Sequence, residues 1–472
     1  MPSYDPPSHC PEFDRTLAPF LTDAGLPFAQ VLSADAVAQA FAAEDVTFGT
    51  AAHTIFTPAL TLWAFLSQVI DDAKSCGAAV LRVAVLLVAL GREPCAEDTA
   101  AYCRARAQLP GVVIRRLALD VGRNLEQEVP TDWLWKGKHV QLIDGTTVTA
   151  PDTPANQKAY PQSPSQKRGL GFPIIRLVVL LSLATAALLG MAAAPYQGKE
   201  TGETALARPL LEDLSAGDIL LADRFYCTYW LVALARTRGV DVVLRMHHRR
   251  AYDFRRGQRL GRKDHVVVWQ RPARPAWMDA ATYATVPETL TVRELHVAIT
   301  APGCRTRSLV VVTTLTDAVV YSKEDIADLY HQRWHVELDI RAIKQSLHMD
   351  HLRCRTPEMV TKELWAHFLG YNLVRKVSAQ AALTQGIHPR AVSFTATKQA
   401  VAAWWSQATL APTAAERVRQ GKLVLLILGT KPVGDRPDRY EPRAVKRRPK
   451  EYDRLMKPRA QARAALRRRR GR

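Results

Sequence analysis

Residues 177–194 read LVVLLSLATAALLGMAAA, an almost uncharged run, and no other segment restricts the fold as much. A run of this length has to leave water, as one helix across a bilayer or as buried strands inside a globular core. It is entered through Ile174, Ile175, Leu177, Val178 and Val179, a β-rich group, and is interrupted by Ser182, Thr185 and Gly190. That composition suits two adjacent buried strands joined by a turn. No second run of the kind accompanies it, so the hairpin is preferred to the membrane helix, and no membrane partner is expected.

Around this hairpin the pattern alternates between strand and helix. Residues 139–143 are a short apolar run ending in Asp144-Gly145, the signature of a strand followed by a turn. Leu206, Leu210, Leu211 and Leu214 fall on helical spacing, residues 219–222 form a buried strand ending in Asp223, residues 226–238 read as a helix stopped by Gly239, and residues 240–244 as a strand. The expected order is β, β, β, α, β, α, β, an α/β fold.

Residues 15–128 read as helical, with starts near Ser33 and at Thr57-Pro58. Pro272, Pro275, Pro287 and Pro302 separate short β-rich runs such as 266–269 and 309–313. Helical periodicity resumes at Ser322, whose spacing to Asp325 matches a capping box, and runs to about His348; Thr356-Pro357 starts the next helix. From about residue 440 the chain is rich in Pro and Arg, and an extended tail is expected.

Charge narrows the partner. Lys and Arg number 64 against 45 Asp and Glu, which favours a polyanion, with nucleic acid first. Residues 1–100 carry four basic against twelve acidic side chains, and residues 441–472 fourteen against three, so basic surface belongs to the body as well as the tail. The N-terminal helices could bind DNA or serve only as a packing domain. Seven cysteines without a CxxC pair suggest free thiols in a reducing compartment, and Asp5, Glu12 and Asp14 stand where an export signal would be basic and then apolar. A cytoplasmic, nucleoid-associated location is expected.

Asp144 and Asp223 each end a predicted strand, where ligands gather in α/β sheets, although either alone also reads as a turn or cap. On a helix, Tyr330, Arg333, Glu337 and Lys344 share a stripe about 60° wide, beside the buried face made by Val336, Ile340, Ile343 and Leu347. The stripe places a third carboxylate within reach of the other two, or else is a solvated ion-pair face built from Arg333, Glu337 and Arg341. Three carboxylates suit magnesium, and paired ions suit phosphodiester cleavage. His331 and His335 have zinc spacing but lack further partners.

The arrangement Tyr330-x2-Arg333-x3-Glu337-x6-Lys344 matches in full the YREK signature of insertion-sequence DDE transposases of the insertion sequence four family. Asp144-Gly145-Thr146-Thr147 and Asp223-Arg224-Phe225-Tyr226 resemble the family's two aspartate motifs, and the resemblance spans roughly residues 75–450. It implies a ribonuclease-H-like mixed sheet core in two parts, 138–245 and 321–385, interrupted by a β-rich insertion at 246–320. An all-α N-terminal domain at 1–130, a helical region at 386–440 and a basic tail at 441–472 complete the expected organisation.

By the same resemblance Asp144, Asp223 and Glu337 form the catalytic, metal-binding triad, with two Mg²⁺ per site and Mn²⁺ as a substitute. Tyr330, Arg333 and Lys344 are then DNA contacts, with Arg341 beside them. The implied partners are double-stranded DNA, as terminal inverted repeats and target, and a second copy in a synaptic dimer. The family's hairpin intermediate calls for an insertion-domain tryptophan against a flipped base, Trp269 first and Trp277 second, although either could simply pack in a β-core. Arg262 and Lys263 belong to the basic stretch around Trp269, and Lys446, Arg447 and Arg448 to the tail. The alternatives are an inactive DNA-end-binding regulator and a ribonuclease-H-like nuclease that does not join strands.

Overall fold

The computed structural model describes residues 34–51, 53–299, 308–407, 413–430, 433 and 453–470. Its centre is one nine-stranded mixed sheet: β1 (Val140–Thr149), β2 (Ile174–Ser182), β3 (Leu188–Pro195), β4 (Ile219–Ala222), β5 (Asp241–Arg245), β6 (Gln258–Gly261), β7 (Asp264–Gln270), β8 (Thr289–Ala298) and β9 (Ser308–Thr313). The spatial order is β3-β2-β1-β4-β5-β9-β8-β7-β6. Strand β1 pairs antiparallel with β2 and parallel with β4, which is itself parallel to β5. The remaining neighbours are antiparallel.

The apolar run is the β2–β3 hairpin, turned through Thr185 and Ala186. Leu177, Val178, Leu180 and Leu181 are fully buried, and each such side chain contributes about 1.5–3 kcal/mol on leaving water. Among the described residues no helix is long and apolar enough to cross a membrane. From β1 to β5 the expected order is followed, with Glu203–Leu210 between β3 and β4 and Tyr229–Thr237 between β4 and β5, except that a short helix, Pro154–Ala159, stands between β1 and β2 where none was expected. The Pro-rich segment adds β6, β7, β8 and β9 to the same sheet.

Two expectations fail locally. Asp144-Gly145 is not a turn: β1 runs on to Thr149, and Gly145 sits in the strand, where a Cβ would stand 2.5 Å from the Glu203 Cδ. The missing side chain makes room for a neighbour and does not reverse the chain. The tail is not wholly extended either, because Arg459–Arg470 is helical. Residues before Ala34, with the helix start at Ser33, lie outside the described residues.

Helices Ala34–Ala42, Pro58–Ile70, Cys76–Ala89, Ala100–Gln108 and Gly111–Gln127 make up the N-terminal part. Thr57 caps the second of these, accepting from Leu60 N at 3.3 Å, as its Thr-Pro start predicts. The other three pack on Pro58–Ile70 and Gly111–Gln127, and these two pack on Pro357–Gln385, a 29-residue helix buried along most of its length. Its fully buried Asn372 ties three elements together. The amide Nδ2 donates to Ala118 O and Leu188 O, both at 2.9 Å, and Oδ1 accepts from Leu188 N at 2.8 Å. This close approach requires Gly122, where a Cβ would lie 2.1 Å from Leu188 O.

Candidate active site

Parallel pairing in register brings the first two carboxylates together. Ile143 lies opposite Ala222, so Asp144 and Asp223 leave the ends of that ladder side by side, on strands about 4.8 Å apart. The Asp144 Oδ1 accepts from Gly145 N at 2.7 Å. Burial, with Glu203 and Asp223 nearby, outweighs this bond and the Arg333 charge, and pushes the Asp144 carboxyl up to about 6. Asp223 begins a short 3-10 turn, Arg224–Tyr226, which carries the Tyr226 ring into the interior.

The third carboxylate arrives on a helix that is not continuous. The capping box of Ser322 and Asp325 starts Lys323–His331 as predicted. The chain then tightens at Gln332 and Arg333, where Val336 N bonds Arg333 O at 3.1 Å, before Trp334–Arg341 and a π-turn at Ala342–Ser346. Uniform helical phase therefore does not hold across the stripe. The π-turn instead seats Lys344 on β1, its Nζ donating to Thr147 O at 2.8 Å and to Thr146 Oγ1 at 3.3 Å.

The carbonyls left open by the π-turn are met from outside. Lys74 donates to Leu347 O and, at 2.7 Å, to Val69 O, while Lys398 donates to Ser346 O at 3.0 Å and pairs with Asp72. Burial and the neighbouring Lys398 charge bring the Lys74 amine down to about 7. The N-terminal helices thus brace the end of the segment that carries Glu337.

Arg333 stands among the acids. Its Nη2 donates to Glu337 Oε1 at 2.8 Å and its Nη1 lies 3.8 Å from Asp144 Oδ2. The pair is a helix-spaced ion pair, as the sequence allows, but with only 17% of the Arg333 side chain exposed it is not a solvated one. Among the described residues no three acidic, histidine or cysteine side chains converge closely enough to chelate an ion directly. Carboxylate oxygens are nevertheless of the hard type that a divalent ion takes, and the Arg333 guanidinium places a positive charge beside those of Asp144 and Glu337. His331 and His335 gather no further ligands, and burial beside Arg390 lowers His335 to about 4.

The remaining candidates are placed unevenly. Tyr330 is buried, and burial together with the nearby Asp223 charge drives its phenol upward. Arg341 is exposed at the end of its helix. Arg262 and Lys263 are exposed at the β6–β7 turn, where Arg262 O accepts from Lys323 Nζ at 2.8 Å. Lys446, Arg447 and Arg448 lie outside the described residues.

Trp269 does not offer a free ring in this conformation. It is 5% exposed, its Nε1 donates to Glu294 Oε1 at 2.8 Å, and the Arg250 guanidinium covers its face at 3.6 Å. Strand alternation decides this, since it turns Val268 outward and Trp269 inward. Trp277 is 37% exposed, with Arg208 over its ring at 3.7 Å.

Sequence reasoning missed Glu203 and Asp339, and gave Tyr226 no role beyond its place in the second aspartate motif. Glu203 lies against Gly145, and the pairing of a strand glycine with a close acid has no signal at the level of one chain. Asp339, inside the signature's own span, is 1% exposed and holds Arg375 at 2.8 Å and Arg390 at 3.0 Å, partners 36 and 51 residues away in sequence. It anchors the helix that bears Glu337 from behind.

Comparison with known proteins identifies the family of the chain. The family described as the Transposase DDE domain matches residues 135–373, half of the chain and all three carboxylates. The transposase InsG of insertion sequence element IS4 from Escherichia coli (strain K12) is 26% identical over 340 residues, 71% of this chain and 73% of that one. The putative transposase InsZ of the same organism is 30% identical over 130 residues, 27% of this chain and 41% of that one. A solved piggyBac transposase synaptic complex with hairpin DNA overlays 87% of this chain and 84% of its own at 12% identity, with a TM-score of 0.41. The chain belongs to the DDE transposases of the insertion sequence four family, enzymes that cleave DNA and join it.

Proposed function

We propose that the protein is a cut-and-paste transposase with a ribonuclease-H-like core, whose reaction centre is Asp144, Asp223 and Glu337. The observation that carries this reading is the register of β1 and β4, which sets the two aspartates side by side, with Glu337 joined to Asp144 through Arg333. Asp144, Asp223 and Glu337 would hold Mg²⁺, two ions per site, with Mn²⁺ as a substitute. Such ions activate a nucleophile and stabilise the leaving oxygen of a phosphodiester.

The protein's own groups do the rest. Arg333 leaves its carboxylates to meet a DNA phosphate, which replaces one anionic partner by another. Lys344, fixed on β1, positions the strand bearing Thr146 and Thr147 against the DNA backbone. Tyr330 lines the floor beside Asp223. Water would nick the transposon end, and the freed 3′-OH would attack a phosphodiester of the opposite strand, forming a hairpin and releasing the flanking DNA. A second water would open the hairpin and restore the 3′-OH, which would then attack a target phosphodiester and displace a target 3′-OH. One site can serve all four because each is an in-line phosphoryl transfer.

Arg262, Lys263 and Arg341, together with the arginines of Arg459–Arg470 and the Lys446, Arg447 and Arg448 cluster, supply phosphate contacts. Trp277 is the better placed stacking platform in the free chain, and Trp269 takes that role only if Arg250 swings off its face. Two copies hold two ends, and the work is done in the cytoplasm at the nucleoid.

The test is cleavage of labelled DNA carrying the element's end, with Mg²⁺, by the wild type and by Asp144→Ala, Asp223→Ala and Glu337→Ala. Metal-dependent nicking and hairpin formation, lost in all three variants with DNA binding retained, is the expected result. Binding without cleavage by the wild type would favour a regulator, and cleavage without joining a nuclease.

A further inference from the structure

The acids of the site number four. Glu203 opens the helix Glu203–Leu210, and its carboxyl lies so close to β1 that any side chain at position 145 would collide with it: a Cβ there would stand 2.5 Å from Cδ and 2.7 Å from Oε1. The backbone of the residue after Asp144 is thus bare because Glu203 occupies the space.

A second observation points to the same place from another element. The Tyr226 hydroxyl, on the 3-10 turn that follows Asp223, belongs to a side chain 1% exposed and has no hydrogen-bond partner among the described residues. The charges that act on it are those of Asp144, Glu203 and Asp223. A buried O–H without a partner costs about as much as a lost hydrogen bond, and here it stands within the field of three carboxylates. An O–H donor and an acceptor carboxylate beside two ligand acids match the outer requirements of a hydrated divalent ion, whose waters donate to carboxylates and accept from hydroxyls.

We propose that Glu203 is a positioning residue of the reaction centre, which with the Tyr226 hydroxyl binds the water shell of the divalent ion held by Asp144 and Asp223. The inference rests on the transposase reading given above. A purely structural Glu203, serving only the positive end of its helix, makes a different prediction: its loss lowers the melting temperature and leaves ion affinity alone.

The test is titration of the DNA-free, full-length protein with Mn²⁺, reading unbound ion by electron paramagnetic resonance. Glu203→Gln keeps shape and removes charge, and weakens affinity about tenfold. Tyr226→Phe weakens it in the same direction. Gly145→Ala, which pushes the Glu203 carboxyl off the strand, reproduces the loss with Glu203 still present. Circular dichroism and thermal melting confirm that each variant folds.

Wild-type affinity in Glu203→Gln overturns the assignment. If Asp144→Asn abolishes Mn²⁺ binding in that same experiment, the triad stands and only the Glu203 role falls. If the wild type neither binds Mn²⁺ nor cleaves end DNA, the reading of the whole site falls, and Glu203 with it.

Discussion

Replacing Arg333 by Gln should tighten divalent-ion binding in the DNA-free protein while abolishing cleavage of transposon ends. The guanidinium lies 2.8 Å from Glu337 and 3.8 Å from Asp144, so an entering cation competes with a cation already present. Coulomb's law gives about 4 kcal/mol for the longer pair at an effective dielectric of about 20, and about 1 kcal/mol in bulk water. With 22% of the Asp144 and 37% of the Glu337 side chain exposed, the lower end applies. A net 1–2 kcal/mol, roughly a tenfold change in affinity, follows.

The assay is Mn²⁺ titration at pH 8, where Asp144, which titrates near 6, is ionised. Removing Arg333 takes away a charge that lowers the Asp144 pKa, so the gain in affinity shrinks as pH falls toward 6. In the wild type, end DNA should mimic the substitution by drawing Arg333 onto a phosphate, and should raise Mn²⁺ affinity about tenfold. Linkage requires Mn²⁺ to tighten DNA binding by the same factor, and the coupling should vanish in Arg333→Gln. Unchanged or weaker ion binding in the variant would refute the argument, as would independence of Mn²⁺ and DNA in the wild type.

Two further outcomes follow from burial. Because the folded-state pKa of Asp144 is raised from 3.8 to about 6, its protonated form stabilises the free protein fully below 3.8, and this contribution is lost as pH rises through 6. Asp144→Asn should therefore melt higher than wild type at pH 8, by up to about 3 kcal/mol at 1.36 kcal/mol per unit, and lose that advantage as pH falls below 3.8; a difference independent of pH would contradict the burial argument. Gly122→Ala should destabilise although Ala is the better helix former by about 1 kcal/mol. Its Cβ, 2.1 Å from Leu188 O, forces Gly111–Gln127 off β3 and breaks the Asn372 hydrogen bonds, a net loss of about 2–4 kcal/mol by thermal melting. Equal or higher stability would show that the helix shifts freely.

What the chain spells out locally was legible in advance. The apolar run with its Ser, Thr and Gly interruptions announces β2 and β3, and Thr57-Pro58 and Ser322-x2-Asp325 announce helix starts. Each signal acts over a few residues through propensity, capping or helical phase, so it survives without tertiary context. Tertiary structure alone decided the rest. Gly145 reads as a turn until Glu203 is seen beside it, and Trp269 reads as a platform until β-alternation turns it inward against Glu294. The helix phase breaks at Arg333, and the π-turn further on ends where Lys74 and Lys398, remote in sequence, meet the carbonyls of Leu347 and Ser346. Close approach, burial and the pairing of distant charges depend on which surfaces meet, and no local pattern encodes that meeting.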